Sequence, residues 1–417
     1  MTAEDFMRPS RTFRRRHCAF GLLLLLTAPA QSLHAQEPAD DTELREQLAM
    51  AQNLLGKTPD RAAVLYFIAG THALLREPHE AVETLKECIA AKEGFDPGGD
   101  RVFAGLKTST EFQHLVQQVH KDFPRETTAR LAFLTAEKDL VPEGLAYNPA
   151  EDVFYLSSLH LKKILRIPRQ SPDRSTDFFP GDRYHLLPVL GIRMDPGDDT
   201  VWAASWLDNG RTELLHFDRG GTLLGRFSLD ESNKHGFNDL VVLRDGAVIV
   251  TDTPGNQIFR FDPKTKTFLA LNLSRALFMP NGIAVSDDQQ FLYVADQFGI
   301  LRYELKTGHC VELSHGASST LAGVDGLYWH KGSLVAVQNG IGSPRIAAFQ
   351  LSSDGLHVSK TTVLENRSVF SILPTTGALR GDDFYFIVNS QVDNLNGDRV
   401  LDITRLAPVR IAVVTLP

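Results

Sequence analysis

Apolar positions follow two different rhythms along this chain. Between residues 41 and 125 they recur at helical spacing, as in Leu44, Leu48, Ala51, Leu54 and Leu55. Thr58-Pro59-Asp60 reads as a helix start, with a capping residue before a proline in the first turn. Ala62, Ala63, Leu65, Tyr66, Ala69, Ala73 and Leu74 carry the next apolar face, and Glu77-Pro78 breaks it. Ala81, Val82, Leu85 and Ile89 begin another, and a last helix is expected from Thr110 to His120. From Arg130 onward the rhythm becomes short β-rich runs separated by Gly, Asp and Asn, the signature of an all-β sandwich, barrel or propeller.

The period separates these three. One phrase recurs: a special residue, then glycine or a short polar residue, then an apolar strand. It begins at Glu143, Leu190, Asn238, Asn281, Asp325 and Thr376, at intervals of 47, 48, 43, 44 and 51 residues. Second strands follow in phase, starting near Val153, Val201, Ala247, Phe291, Ser333 and Phe384. Third strands are expected from Ile164, Leu214, Ile258, Ile300, Ile346 and Ile403. Periods of 40–50 residues with several strands each are propeller blades. The fold class expected is mainly β: a six-bladed β-propeller over 128–417, preceded by a small α-helical domain over 36–127.

The first 35 residues are of another kind. Arg14, Arg15 and Arg16 precede an apolar run with five consecutive leucines, Leu22 to Leu26, and the segment ends on small residues at Ala35. This is the pattern of a secretory signal peptide, so the mature protein is expected in the periplasm or outside the cell. The run is too short to span a bilayer, and no later segment is long enough either. The leader holds five arginines and two acids, so removing it takes the formal net charge from −8 to −11. That excess argues against nucleic acid and anionic membrane surfaces as partners. Cys88 and Cys310 remain in the mature chain, either as buried thiols or as one interdomain bridge.

In a propeller the first strand of each blade lines the central tunnel, so residues in one phase converge on one axis. Here they are two carboxylates (Glu143, Asp325), two carboxamides (Asn238, Asn281), the Thr376 hydroxyl and Leu190, with no cation among them. Packing such groups together is costly unless something positive neutralises them. An all-oxygen set suits a hard cation such as Ca²⁺, and the absence of in-phase His or Cys speaks against a structural zinc site. The competing reading makes Asn281-Gly282 and Asp325-Gly326 plain turns. Asp393-Asn394-Leu395-Asn396-Gly397-Asp398 misses the spacing of a calcium loop and reads as an ordinary turn.

Several phrases carry a family resemblance: Pro142-Glu143-Gly144, Phe237-Asn238-Asp239, Met279-Pro280-Asn281-Gly282, Leu292-Tyr293-Val294-Ala295-Asp296 and Val324-Asp325-Gly326. Residues 130–417 resemble the senescence marker protein/gluconolactonase/LRE-like six-bladed propellers, and more distantly the paraoxonases. The resemblance implies one divalent metal held by Glu143, Asn281 and Asp325, with Asn238 beside it as ligand or substrate contact. It makes Ca²⁺ the first choice, with Zn²⁺, Mn²⁺ or Mg²⁺ as alternatives, and Asp325 the general base. Two departures matter. The position of that family's substrate arginine is Gly236 here, with Lys234 or His235 as conceivable substitutes, and the paraoxonase-type histidine position is Leu190. His160 and His185 are further candidates for reaching the cavity. Residues 62–91, through Tyr66, Ala69, Gly70, Ala73, Pro78, Glu80, Ala81 and Leu85, resemble a single tetratricopeptide-type hairpin, where a free-standing array needs about three. Such a unit either docks on the propeller or recruits a protein partner.

Two functions follow as expectations. One is a metal-dependent hydrolase acting on a lactone or related cyclic ester in the tunnel. The other is a non-catalytic, calcium-stabilised propeller that binds a ligand or partner.

Overall fold

The computed structural model describes residues 41–417, apart from 180–181, 208–209, 230–234, 274 and 317–318. The expected signal peptide lies outside the described residues. Four α-helices come first: α1 (Asp41–Leu54), α2 (Arg61–Leu74), α3 (Pro78–Ala90) and α4 (Thr110–Asp122), with a 3₁₀ turn at Arg101–Leu106. The caps follow from side-chain chemistry. Asp60, not Thr58, caps α2, its carboxylate accepting the Ala63 N–H at 2.8 Å. Ser109 caps α4 by accepting the Phe112 N–H.

Six antiparallel sheets follow, each a blade. Their innermost strands are Leu145–Asn148, Val189–Met194, Phe237–Val242, Ile283–Val285, Val324–His330 and Gly377–Arg380, and all start within two residues of the sequence phrase. Adjacent blades pack face to face, so the middle strands are apolar on both sides. All of Val248–Asp252 is buried, for instance.

The ring closes through the sixth blade, whose order is Arg130–Leu134, Arg410–Thr415, Asp383–Ile387, Gly377–Arg380. Its outer strand therefore comes from the start of the β region and its third from the end. The third strand expected at Ile403 is instead a 3₁₀ turn, Ile403–Arg405, and Arg410–Thr415 takes its place. Between them residues 388–409 form an insertion with a short hairpin, Leu395–Asn396 against Arg399–Val400.

The helical segment packs on blades 4 and 5. Phe67 of α2 meets Phe278 and Phe298 edge-on, at 5.5 and 5.6 Å between ring centres. Phe298, Ala322 and Ile341 of the propeller belong to the same core as α2 and α3. Of the two roles expected for the hairpin, docking is the one observed. Cys88 and Cys310 are buried and neither is in a disulfide, so no interdomain bridge links them.

Candidate active site

The in-phase residues open into a cavity of about 150 Å³ at one end of the tunnel. Glu143, Asn238, Asn281 and Asp325 supply polar groups to its lining, and Leu159, Leu190, Trp206, Leu207, Met279 and Leu395 line it with apolar surface. The expected set is therefore brought together, with one exception. Thr376 turns its hydroxyl onto the backbone carbonyl of Glu143 at 2.5 Å, joined by the Thr375 hydroxyl at 3.2 Å. Its role is to hold Glu143 in place.

The glycines of the phrase are not turn residues. A Cβ on Gly144 would lie 2.1 Å from the Leu190 carbonyl oxygen, and one on Gly282 2.4 Å from that of Asp325. Neither has a positive φ. They are small because neighbouring inner strands meet there, which overturns the turn reading of Asn281-Gly282 and Asp325-Gly326. The ladder also slips at this level in three blades, between Val189 and Ile192, Phe237 and Leu240, and Val324 and Leu327. Bulges of this kind re-aim side chains out of the regular pleat.

Asp325 is gripped on both oxygens. Asn281 Nδ2 donates to Oδ1 at 2.8 Å and Asn339 Nδ2 to Oδ2 at 2.6 Å. Asn339 follows the second strand of blade 5 and escaped the sequence reading. Its signal, Gln338-Asn339-Gly340, becomes legible only when the blade phase is carried into that loop. Asn238 Nδ2 donates to Thr253 Oγ1 at 3.0 Å. With their nitrogens donated, both asparagines have the amide oxygen left to offer.

Burial governs the carboxylates. It raises Asp325 to about 7, against the lowering pull of the Asn339 and Asn281 hydrogen bonds. Burial, followed by the charges of Asp325 and Asp239, holds Glu143 well above the ordinary carboxylate range. Asp239 has its own cation, since Arg193 donates to Oδ2 at 2.8 Å while lying over the Tyr328 ring. Glu143 has none among the described residues, and its buried Oε2 has no hydrogen-bond partner among them. An orphaned carboxylate oxygen in a cavity that a second carboxylate and two carboxamides also line fits a hard divalent cation.

Other expectations fare less well. His160, His185 and His235 are absent from the described cavity lining. His160 Nδ1 bonds to the Asp398 carbonyl and His235 Nδ1 to Asp252. Lys234 lies outside the described residues. A Cβ on Gly236 would come within 2.8 Å of the Trp206 ring, so Trp206 fills the space that a longer side chain would need. The 393–398 segment is more than the turn expected: it runs from a 3₁₀ turn through the strand Leu395–Asn396 into a hairpin turn at 397–398, and it walls the cavity through Leu395 and Gly397.

No protein-family model matches the sequence, and no curated protein does. Solved structures with similar shape include a gluconolactonase from Xanthomonas campestris, 17% identical, covering 69% of this chain and 89% of its own, TM-score 0.48. A calcium-binding regucalcin from Agrobacterium tumefaciens is 16% identical, covering 69% and 96%, TM-score 0.47. A virginiamycin B lyase from Staphylococcus aureus is also 16% identical, covering 62% and 80%, TM-score 0.46.

Proposed function

We propose that this protein is an exported, metal-dependent hydrolase of a lactone or related cyclic ester carrying an apolar substituent. The observation that carries the reading is the orphaned Glu143 Oε2, in an apolar-walled cavity that Asp325 also lines. Glu143, Asp325 and the amide oxygens of Asn281 and Asn238 would hold the cation. Bound there, it would polarise the ester carbonyl and offset the negative charge developing on its oxygen.

The remaining work falls to the chain's own groups. Asp325, its carboxylate fixed at the cavity, would take a proton from an attacking water and return it to the leaving alkoxide. Asn281 and Asn339 keep its carboxylate from rotating. Leu190, Trp206, Leu207 and Met279 exclude solvent and favour an apolar substituent, whereas Trp206 over Gly236 leaves no place for an arginine that would select a sugar acid.

The test is a panel of lactones of increasing side-chain length, run on the mature protein with added Ca²⁺. Asp325→Ala should lower kcat/KM at least a hundredfold, by analogy with loss of a general base, while melting cooperatively. Undiminished turnover by Asp325→Ala, or by wild type in excess chelator, would sink the proposal. Export is checked separately: the mature N-terminus should be Gln36.

A further inference from the structure

A second cluster of ionisable groups lies away from the tunnel, where the helical segment meets the propeller. Asp60 at the start of α2, Glu93 in the connection after α3, and His315 beside the outer strand of blade 5 bring one ligand atom each within 4.8 Å of the others. We propose that these three residues form a second metal site, for a zinc-type divalent cation, that fastens the helical segment to the propeller.

His315 is 95% buried at its side chain, by its 5% exposure, yet its Nε2 has no hydrogen-bond partner among the described residues. Its Nδ1 bonds to the Gly316 carbonyl at 3.1 Å. A carbonyl only accepts, so Nδ1 carries the hydrogen, and in the neutral ring Nε2 offers its lone pair on the Asp60 side. This is how metal-bound histidines are fixed: the far ring nitrogen donates to a backbone carbonyl and the near one ligates.

The separation agrees as well. His315 Nε2 stands 3.4 Å from Asp60 Oδ2. Two ligand atoms, each about 2.1 Å from a tetrahedrally coordinated ion, lie about 3.4 Å apart. Glu93 Oε2 is a second buried atom without a partner among the described residues. Two buried carboxylates this close repel one another unless a cation or a shared proton sits between them.

The ligands are also held from behind. Asp60 accepts from Ala63 N–H on Oδ1, and from the Thr320 hydroxyl at 2.5 Å and Leu321 N–H at 3.2 Å on Oδ2. Such outer contacts orient a ligating carboxylate. The nearby buried cation, Arg345, directs its donors to Gln338 Oε1, Ser319 Oγ and the Thr320 carbonyl. One nitrogen and two oxygens suit Zn²⁺ or Co²⁺ better than Ca²⁺, in contrast with the all-oxygen tunnel set. Glu93 is partly exposed, which gives an ion a way in and water a fourth position.

The test uses the whole mature chain, stripped with chelator and titrated with Zn²⁺ by calorimetry. Glu143→Gln should retain one Zn²⁺ equivalent. Glu93→Gln and His315→Ala should each weaken that equivalent at least tenfold and leave the Glu143-dependent one in place. In the Glu143→Gln background, Zn²⁺ should raise Tm, and adding Glu93→Gln should abolish the rise. Co²⁺ should give the visible absorption of a four-coordinate nitrogen-ligated ion, lost in His315→Ala. Identical isotherms for wild type, Glu93→Gln and His315→Ala would overturn the site, as would no Zn²⁺ equivalent in Glu143→Gln; the cluster is then a proton-bridged charge triad. Should His315→Ala fail to melt cooperatively, Glu93→Gln decides alone.

Discussion

Gly282 and Asp325 show how the tunnel site depends on single atoms. The carbonyl of Asp325 sits where a Cβ of residue 282 would be, 2.4 Å away, so the inner strands of blades 4 and 5 touch through a missing methyl. Gly282→Ala should cost roughly 1–3 kcal/mol, the range for overpacking a tight interior. It should also loosen the Asn281–Asp325 hydrogen bond next to it. Thermal melting and Ca²⁺ affinity of the variant check both, and an unchanged Tm would show that the strands can part freely. Asp100 makes a separate, pH-dependent prediction. Burial raises its pKa to about 6, against an ordinary 3.8, despite hydrogen bonds from Val102 N–H and the Tyr66 hydroxyl. The folded state therefore holds this proton more tightly than the unfolded chain, so its contribution favours folding most below pH 4. That advantage is lost as pH rises towards 6 and is gone above it. Asp100→Asn should flatten this part of the stability profile, and denaturant titrations at pH 4, 5, 6 and 7 should show a smaller decline than wild type.

At the scale of elements, ring closure rests on one short strand. Arg130–Leu134 is the outer strand of blade 6, and Phe133 drives it inward, 93% buried and 5.5 Å from Phe154 of blade 1. Phe133→Ala should cost about 3–5 kcal/mol, as for other buried aromatics, and lower Tm without removing the blades themselves. A loss below about 1 kcal/mol would mean that backbone pairing alone closes the ring. This strand also marks where the sequence stops being readable. Inner and middle strands were legible because each blade repeats one apolar phrase, which in five of the six follows a polar residue. Blade 6 breaks the order, taking a strand from each end of the β region, and Ile403-Thr404-Arg405-Leu406 imitates the third-strand phrase while forming a 3₁₀ turn. The floor of the cavity was legible for the same periodic reason. Its walls were not: Trp206, Leu207, Leu395 and Asn339 come from strand ends and loops whose phase no repeat dictates.

At the scale of the whole molecule, the helical segment and the propeller complete each other's cores. Every residue of α2 from Ala62 to Thr71 is buried, so this helix has no solvent face over that length. Part of its cover is the propeller itself, through Phe278, Phe298, Ala322 and Ile341. Arg101, near the end of the helical segment, also reaches the blade 6 insertion, donating to Asp393 at 2.9 Å. Residues 36–127 expressed alone would therefore expose Phe67 and its neighbours, and residues 128–417 alone would expose the matching aromatics. The intact mature chain should unfold in a single transition, monitored together by far-UV circular dichroism for the helices and near-UV signal for the packed aromatics. Phe67→Ala removes the ring that both propeller phenylalanines meet, and should cost about 3–5 kcal/mol of docking and folding free energy. Its effect should fall on the coupling, so that the helical signal is lost at a lower temperature than the near-UV signal of the blades. If wild type already shows two separated transitions, the shared core is too weak to join the parts. If Phe67→Ala keeps one transition at an unchanged Tm, the joint is carried by the polar contacts around Asp60 and Asp96, where Ser343 donates to Asp96 at 2.6 Å.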